Sequence, residues 1–154
     1  MTASPPAALD SATVPEVSRT GYPEPYRGAV AGRSWRALGD PFGLTDFGVN
    51  LVRLDPGAAS SQRHWHSEED ELVYVLEGEP TLVTDAGPQR LRPGMVAGFA
   101  KDRPDGHHLR NETASPVLFL VVGSRREGDA CFYPDVDLQV GADGVYRRKS
   151  GEAW

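Results

Sequence analysis

From Phe47 onward the chain is a series of short apolar and β-branched runs, none long enough for a stable helix. Phe47–Leu54, Ser60–His66, Glu71–Leu76, Thr81–Thr84, Met95–Phe99, His107–Asn111 and Val117–Val122 read as strands. Turn signals separate them: Asp55-Pro-Gly57, Glu77-Gly-Glu79, Asp85-Ala-Gly-Pro88 and Arg92-Pro-Gly94. Strands at such regular spacing, with no amphipathic helix between them, predict an all-β fold, an antiparallel sandwich or barrel. Leu138–Val140 and Val145–Arg148, joined across Gly-Ala-Asp-Gly, predict one further hairpin. In Glu71–Leu76 both side-chain sets are apolar: Val73 and Val75 on one face, Leu72, Tyr74 and Leu76 on the other. A strand of that kind is expected to be covered on both faces.

The first part of the chain lacks this pattern. Pro5, Pro6, Pro15, Pro23 and Pro25 interrupt it, so residues 1–27 read as an extended arm, loose or draped over a surface. Residues 28–140 then form the β-barrel domain and 141–154 a C-terminal hairpin or tail. Composition sharpens this picture at three points. With 17 Gly and 13 Pro in 154 residues, a helical bundle is disfavoured. A net charge of −6, with no clustering of Lys and Arg, predicts no nucleic-acid partner. The longest apolar run, Val117–Val122, is too short to span a bilayer as a helix, so no membrane partner is expected. A single cysteine, Cys131, excludes an intramolecular disulfide and reads as a small buried hydrophobe. The opening Met-Thr-Ala-Ser-Pro-Pro has no basic or apolar signal region, so a cytoplasmic location is expected.

Candidate chemistry lies in the histidines. The chain has four, in two tight pairs: His64 with His66, and His107 with His108. Side chains two apart on a strand share a face, so His64 and His66 can converge on one point. Glu71 opens the next strand after the polar turn Ser67–Asp70, and a hairpin would return its carboxylate to the pair. Glu68, Glu69 and Asp70 read as solvated turn residues. Two imidazoles and a carboxylate on a rigid sheet suit a divalent first-row metal. An isolated His-x-His is equally ordinary as polar strand surface. Gln62 shares the parity of the pair and is a candidate cavity residue. Val73, Val75 and Leu109 are expected to line an apolar pocket beside it.

The wider spacing carries more weight. Gly57, six residues, His64, one, His66, four, Glu71, six, Gly78 closely resembles the first signature motif of the cupin superfamily, with one extra residue after the first glycine. That superfamily's second motif begins at a glycine and ends His, three residues, Asn. Read back from Asn111, the histidine is His107; read forward from Gly94, it falls on Asp105. A two-residue insertion in Lys101–Gly106 reconciles the two readings. His107, Leu109 and Asn111 then share a face and His108 points away, although a bulge would exchange them. Gln62–His66, Tyr74–Gly78, Gly106–Leu109 and Tyr133–Leu138 resemble strings found in small bacterial single-domain cupins. Ala100-Lys-Asp102 departs from the Pro-Ala-Gly common there, which bears on the loop beside the site. This resemblance spans Phe42 to Asp137.

The resemblance implies a jelly-roll barrel, the double-stranded β-helix, holding one divalent transition metal (Fe, Mn, Ni, Co or Zn) through His64, His66, Glu71 and His107, with His108 as the alternative to His107. Four protein ligands on a six-coordinate ion leave two positions open, which suits Fe, Mn, Ni or Co better than four-coordinate Zn. Two function classes follow. The first is a metal-dependent enzyme acting on a small molecule, either a dioxygenase or an isomerase or lyase of a hydroxy-carbonyl compound. The second is a non-catalytic ligand-binding or sensor module. Open metal positions favour the enzyme. The apolar row Leu72, Tyr74 and Leu76 also predicts a homodimer, with that face or the N-terminal arm at the interface.

Overall fold

Alternation of side chains along the strands decides where the core lies. A computed structural model describes residues 5–154; the first four residues of the expected arm lie outside the described residues. Among the described residues twelve strands follow one another: β1 (Arg33–Ala37), β2 (Phe47–Leu54), β3 (Trp65–His66), β4 (Glu71–Glu77), β5 (Thr81–Thr84), β6 (Gly87–Arg90), β7 (Val96–Phe99), β8 (His108–Arg110), β9 (Val117–Ser124), β10 (Cys131–Tyr133), β11 (Leu138–Val140) and β12 (Tyr146–Arg147). They form antiparallel sheets in the orders β1-β2-β9-β4-β7, β12-β11-β10-β3 and β6-β5-β8. The chain is all-β, a jelly roll.

The inward faces of β2, β4 and β9 supply the main core, with Val52, Leu54, Val73, Val75, Val117 and Phe119 buried. Each such side chain contributes about 1.5–3 kcal/mol by leaving water. Phe119 is fully enclosed, and Phe119→Ala would cost about 3–5 kcal/mol through the cavity it leaves. Gly78 ends β4 at φ +74°, and a Cβ there would strike Val117, so the turn needs glycine.

On the other face of β4, Leu72, Tyr74 and Leu76 stay 43%, 37% and 36% exposed, so nothing in the described chain covers them. The arm takes a different course. Val17 bridges to Trp35 on β1, and Val14 and Tyr22 are buried. Tyr22 meets Tyr133 and Tyr146 edge-to-face at 5.8 and 5.7 Å, in a second apolar cluster with Val30 and Leu138. The arm and the C-terminal hairpin thus pack together over the end of the barrel.

Candidate metal centre

Residues 60–66 were expected as a strand, but only Trp65–His66 pairs regularly, with β10. His64 instead forms an isolated bridge with His107, donating and accepting backbone hydrogen bonds at 3.1 and 2.8 Å. That bridge draws the two histidine pairs together. Along 107–111 burial alternates as parity requires, with His107, Leu109 and Asn111 each at most 2% exposed.

Glu71 is the pivot. Its Oε2 lies 3.1 Å from His107 Nε2, 3.9 Å from His64 Nε2 and 4.0 Å from His66 Nε2. Ligands about 2.0–2.2 Å from one ion would be spaced roughly 3–4 Å apart, and each imidazole stands at that spacing from Glu71. His64, Glu71 and His107 form one set of donor atoms within 4.8 Å of one another, whereas His66 joins Glu71 in a second set with Glu69. The ring orientations fit as well. His66 Nδ1 lies 2.7 Å from Asp129 Oδ2, and His64 Nδ1 lies 3.0 Å from the Gln62 carbonyl and 3.2 Å from Ser61 Oγ. Each ring thereby turns its Nε2 toward the cluster, the arrangement by which outer partners orient metal-binding histidines. His107 stacks on Phe99, centroids 3.5 Å apart and planes 2° from parallel. His108 turns away, with Nδ1 2.9 Å from the Ser61 carbonyl.

Electrostatics keep the set ready for a cation. Burial pulls His64 down to about 4, only partly opposed by the Glu71 charge, so the ring is neutral at ordinary pH. Burial would raise Glu71, but the His107 hydrogen bond and the nearby imidazoles outweigh it and hold the carboxyl below its usual range.

Three residues that the sequence did not place at the site also reach the cluster. Glu69 is not a solvated turn residue: it is half-buried, and its carboxylate belongs with His66 and Glu71 to a set of donor atoms within 4.8 Å of one another. Burial pushes it up to about 7. Gly123 makes room for it, since a Cβ there would collide with the Glu69 carboxylate. Cys131, opposite His66 in the β3–β10 pair, forms another such set with His64 and His66. Burial raises its thiol to about 12. Asp129 anchors His66 and accepts from the backbone N–H of Glu68 and Glu69 at 2.8 and 3.2 Å, fixing the turn before Glu71. Asp129 and Cys131 come from 60 or more positions along the chain, so no local spacing could reveal them. The signal for Glu69 was its place two residues before Glu71.

The cluster separates two cavities. The first, about 510 Å³, is bounded by Glu69, Gln89, Phe99, Arg103 and Asp105. A second, about 540 Å³, is bounded by Arg33, Trp35, Tyr22, Tyr133 and Tyr146. His66, Glu71 and His107 line both. Val73 and Leu109 line the second as their parity predicts, whereas Val75 packs in the core beneath it. Gln62 contributes its backbone, not its side chain: its N–H donates to Tyr22 Oη and its carbonyl meets His64.

A family profile described as Cupin domain matches residues 50–123. None of the curated proteins matches the chain. Among solved structures, it is similar to a sugar phosphate isomerase of the cupin superfamily from Silicibacter pomeroyi, at 43% identity over 96% of each chain, with a TM-score of 0.92. It is also similar to a protein described as a sugar phosphate isomerase from Acidithiobacillus ferrooxidans, at 32% identity over 75% of this chain and 70% of that one, TM-score 0.67. The polyketide cyclase RemF from Streptomyces resistomycificus shares the fold at 22% identity, over 77% of this chain and 79% of that one, TM-score 0.65.

Proposed function

The chain belongs to the cupin superfamily, and on that premise we propose that it is a metal-dependent enzyme that isomerises or cleaves a small hydroxy-carbonyl compound. The carrying observation is the convergence of three imidazole Nε2 atoms on Glu71 Oε2 within 3.1–4.0 Å, open to a cavity on either side. His64, His66, Glu71 and His107 are the ligands of one divalent transition metal: Fe, Mn, Ni, Co or Zn. Two relatives named as sugar phosphate isomerases, at 43% and 32% identity, support the isomerase branch over a dioxygenase.

When bound, the ion supplies Lewis-acid polarisation of a carbonyl and its neighbouring hydroxyl. Moving hydrogen between adjacent carbons then needs a side chain that takes a proton and returns it. Glu69 is the carboxylate placed for this, beside His66 and Glu71 and lining the first cavity. Phe99 and Leu91 wall that cavity with apolar surface and limit water around the reacting carbons. The single cysteine agrees with a reducing cytoplasm. The exposed row Leu72, Tyr74 and Leu76 supports a homodimer, which light scattering on the full chain tests.

The decisive experiment loads the protein with each metal in turn and follows a panel of hydroxy-aldehydes, hydroxy-ketones and their phosphates by NMR, with an oxygen electrode alongside. Isomer or cleavage products, with no oxygen uptake, support the reading. Oxygen consumption would move the protein to the dioxygenase class. Ligand binding with every substrate recovered unchanged would make it a binding module.

A further inference from the structure

The second cavity contains a guanidinium with no carboxylate paired to it. Arg33 lies on β1, two residues before Trp35, so both side chains share a face and line this cavity. Its guanidinium carbon sits 5.0 Å from the Trp35 ring centroid. One donor is used: Nη1 gives a hydrogen bond to the Ser60 carbonyl at 2.7 Å. Nε is buried with no partner. Among the described residues no carboxylate pairs with Arg33, whereas Arg36 and Arg53 each hold one and Arg63 holds two. A guanidinium taken partly out of water and left without an anion is costly unless a ligand completes it.

We propose that Arg33 receives the carboxylate of the small molecule, whose body lies in the second cavity with its other end at the histidine cluster. Three features select the class. Arg33 is the sole Lys or Arg lining this cavity among the described residues, while Glu71 and Asp129 line it too. One positive charge balances a monoanion; a phosphate dianion would bring more negative charge than the cavity neutralises. The planar fork of Arg matches a carboxylate through paired N–H donors; Nε is sealed from the cavity, so the pair is made by Nη2, which has no partner among the described residues, and the remaining hydrogen of Nη1. Finally, Trp35, Val52, Val73 and Phe119 present apolar walls, which suit a carbon body. Tyr22 and Tyr146 close the outer side, so the arm and the C-terminal hairpin complete the pocket. This deepens the enzyme reading by naming the substrate as a hydroxy-carbonyl acid. It depends on that reading only for the approach to the metal.

Isothermal titration of the full chain, as purified and again after metal removal by a chelator, tests the inference with benzoate, hexanoate, neutral benzamide and inorganic phosphate. Benzoate or hexanoate should bind about tenfold or more tightly than benzamide, the scale of a charge-assisted hydrogen-bonded pair. Arg33→Met should remove that preference and leave benzamide unchanged; Arg33→Lys, which keeps charge but not the fork, should fall between. If Arg33→Met does not fold, the Lys variant still reports the loss of the fork. Equal binding of benzoate and benzamide, no binding of either acid, or an unchanged Arg33→Met titration would overturn the proposal. Tighter, Arg33-dependent binding of phosphate would overturn the carboxylate assignment. Arg33-dependent binding that persists in the stripped protein upholds this site even if the metal-enzyme reading fails. Its absence alongside intact metal binding rejects this site alone.

Discussion

The two cavities share His66, Glu71 and His107 but are walled by different parts of the chain. On the Glu69 side the walls are β5, β6 and β7 with the loop through Arg103 and Asp105, a single stretch between residues 82 and 107, joined by Trp65 and Glu69. On the Arg33 side they are β1, β2, β9 and the small β10–β12 sheet, closed by Tyr22 from the arm. The first wall carries several polar and charged groups; the second is aromatic and holds one unpaired cation. Three side chains shared between two independently built walls let either wall change without moving the cluster, which fits a fold that hosts many activities.

The strongest way to break the comparison is to remove what the cavities share. His107→Ala should lower metal occupancy more than any change in either wall, and His64→Ala and His66→Ala should do the same in a protein that stays folded. His108→Ala should leave occupancy near that of the unmutated chain, because its ring meets the Ser61 carbonyl instead of the cluster. Elemental analysis of untagged protein reads both, and equal losses from His107→Ala and His108→Ala would refute the assignment. Next in size is Asp129→Asn. It keeps the ring's neighbour but removes the anion 2.7 Å from His66 Nδ1, and should weaken metal binding about 10–100-fold. Competition with a chelator of known affinity measures it.

Stability sharpens the contrast between the walls. Tyr22 is 5% exposed and joins two other tyrosines, so Tyr22→Ala should cost roughly 3 kcal/mol, or a fall of about 6–12 °C in Tm. Gln89 lines the other cavity from an exposed position, and Gln89→Ala should stay within about 0.5 kcal/mol. Comparable melting shifts for the two variants would show that the arm is not part of the folded unit.

The walls also differ in how far they could be read in advance. β4 and β9 are legible because their β-branched and apolar residues repeat at the strand period, and the three Nε2 donors follow from spacing and parity once the hairpin is granted. That His107 and not His108 faces Glu71 is likewise a parity result, since burial alternates through Asn111. β1 was not legible: Arg33-Ser-Trp-Arg36 alternates large amphipathic side chains with no apolar run, and it becomes a strand by pairing with β2. β10 is three residues long and gains its meaning from facing β3. The Arg33 cavity joins positions 22, 33 and 146, contacts that only the closed barrel creates. Glu69 misled because acidic turn residues are ordinarily solvated; here Asp129 and the bare Gly123 fold it inward.

The last expected effect is graded and concerns pH in metal-stripped protein. His64 falls from 6.5 in the unfolded chain to about 4 when folded. Between those values the unfolded state binds more protons, so stability is complete above 6.5 and declines as pH drops toward 4. Glu71 acts in the same sense, since its folded carboxyl lies below its ordinary value and its contribution is lost on acidification. Glu69 acts oppositely. Its pKa rises from 4.5 to about 7, so the folded state holds the extra proton and stability falls as pH climbs through that window. In the unmutated protein the two trends overlap between 4.5 and 6.5 and partly cancel. Glu69→Gln, which removes the opposing titration from one wall only, should therefore give a steeper rise of Tm with pH over that interval and a higher Tm above pH 7. A set of melting curves from pH 4 to 8 on both proteins decides it. Parallel curves would mean that Glu69 titrates as an ordinary solvated carboxyl, and the first cavity would lose the group that gives it a proton to move.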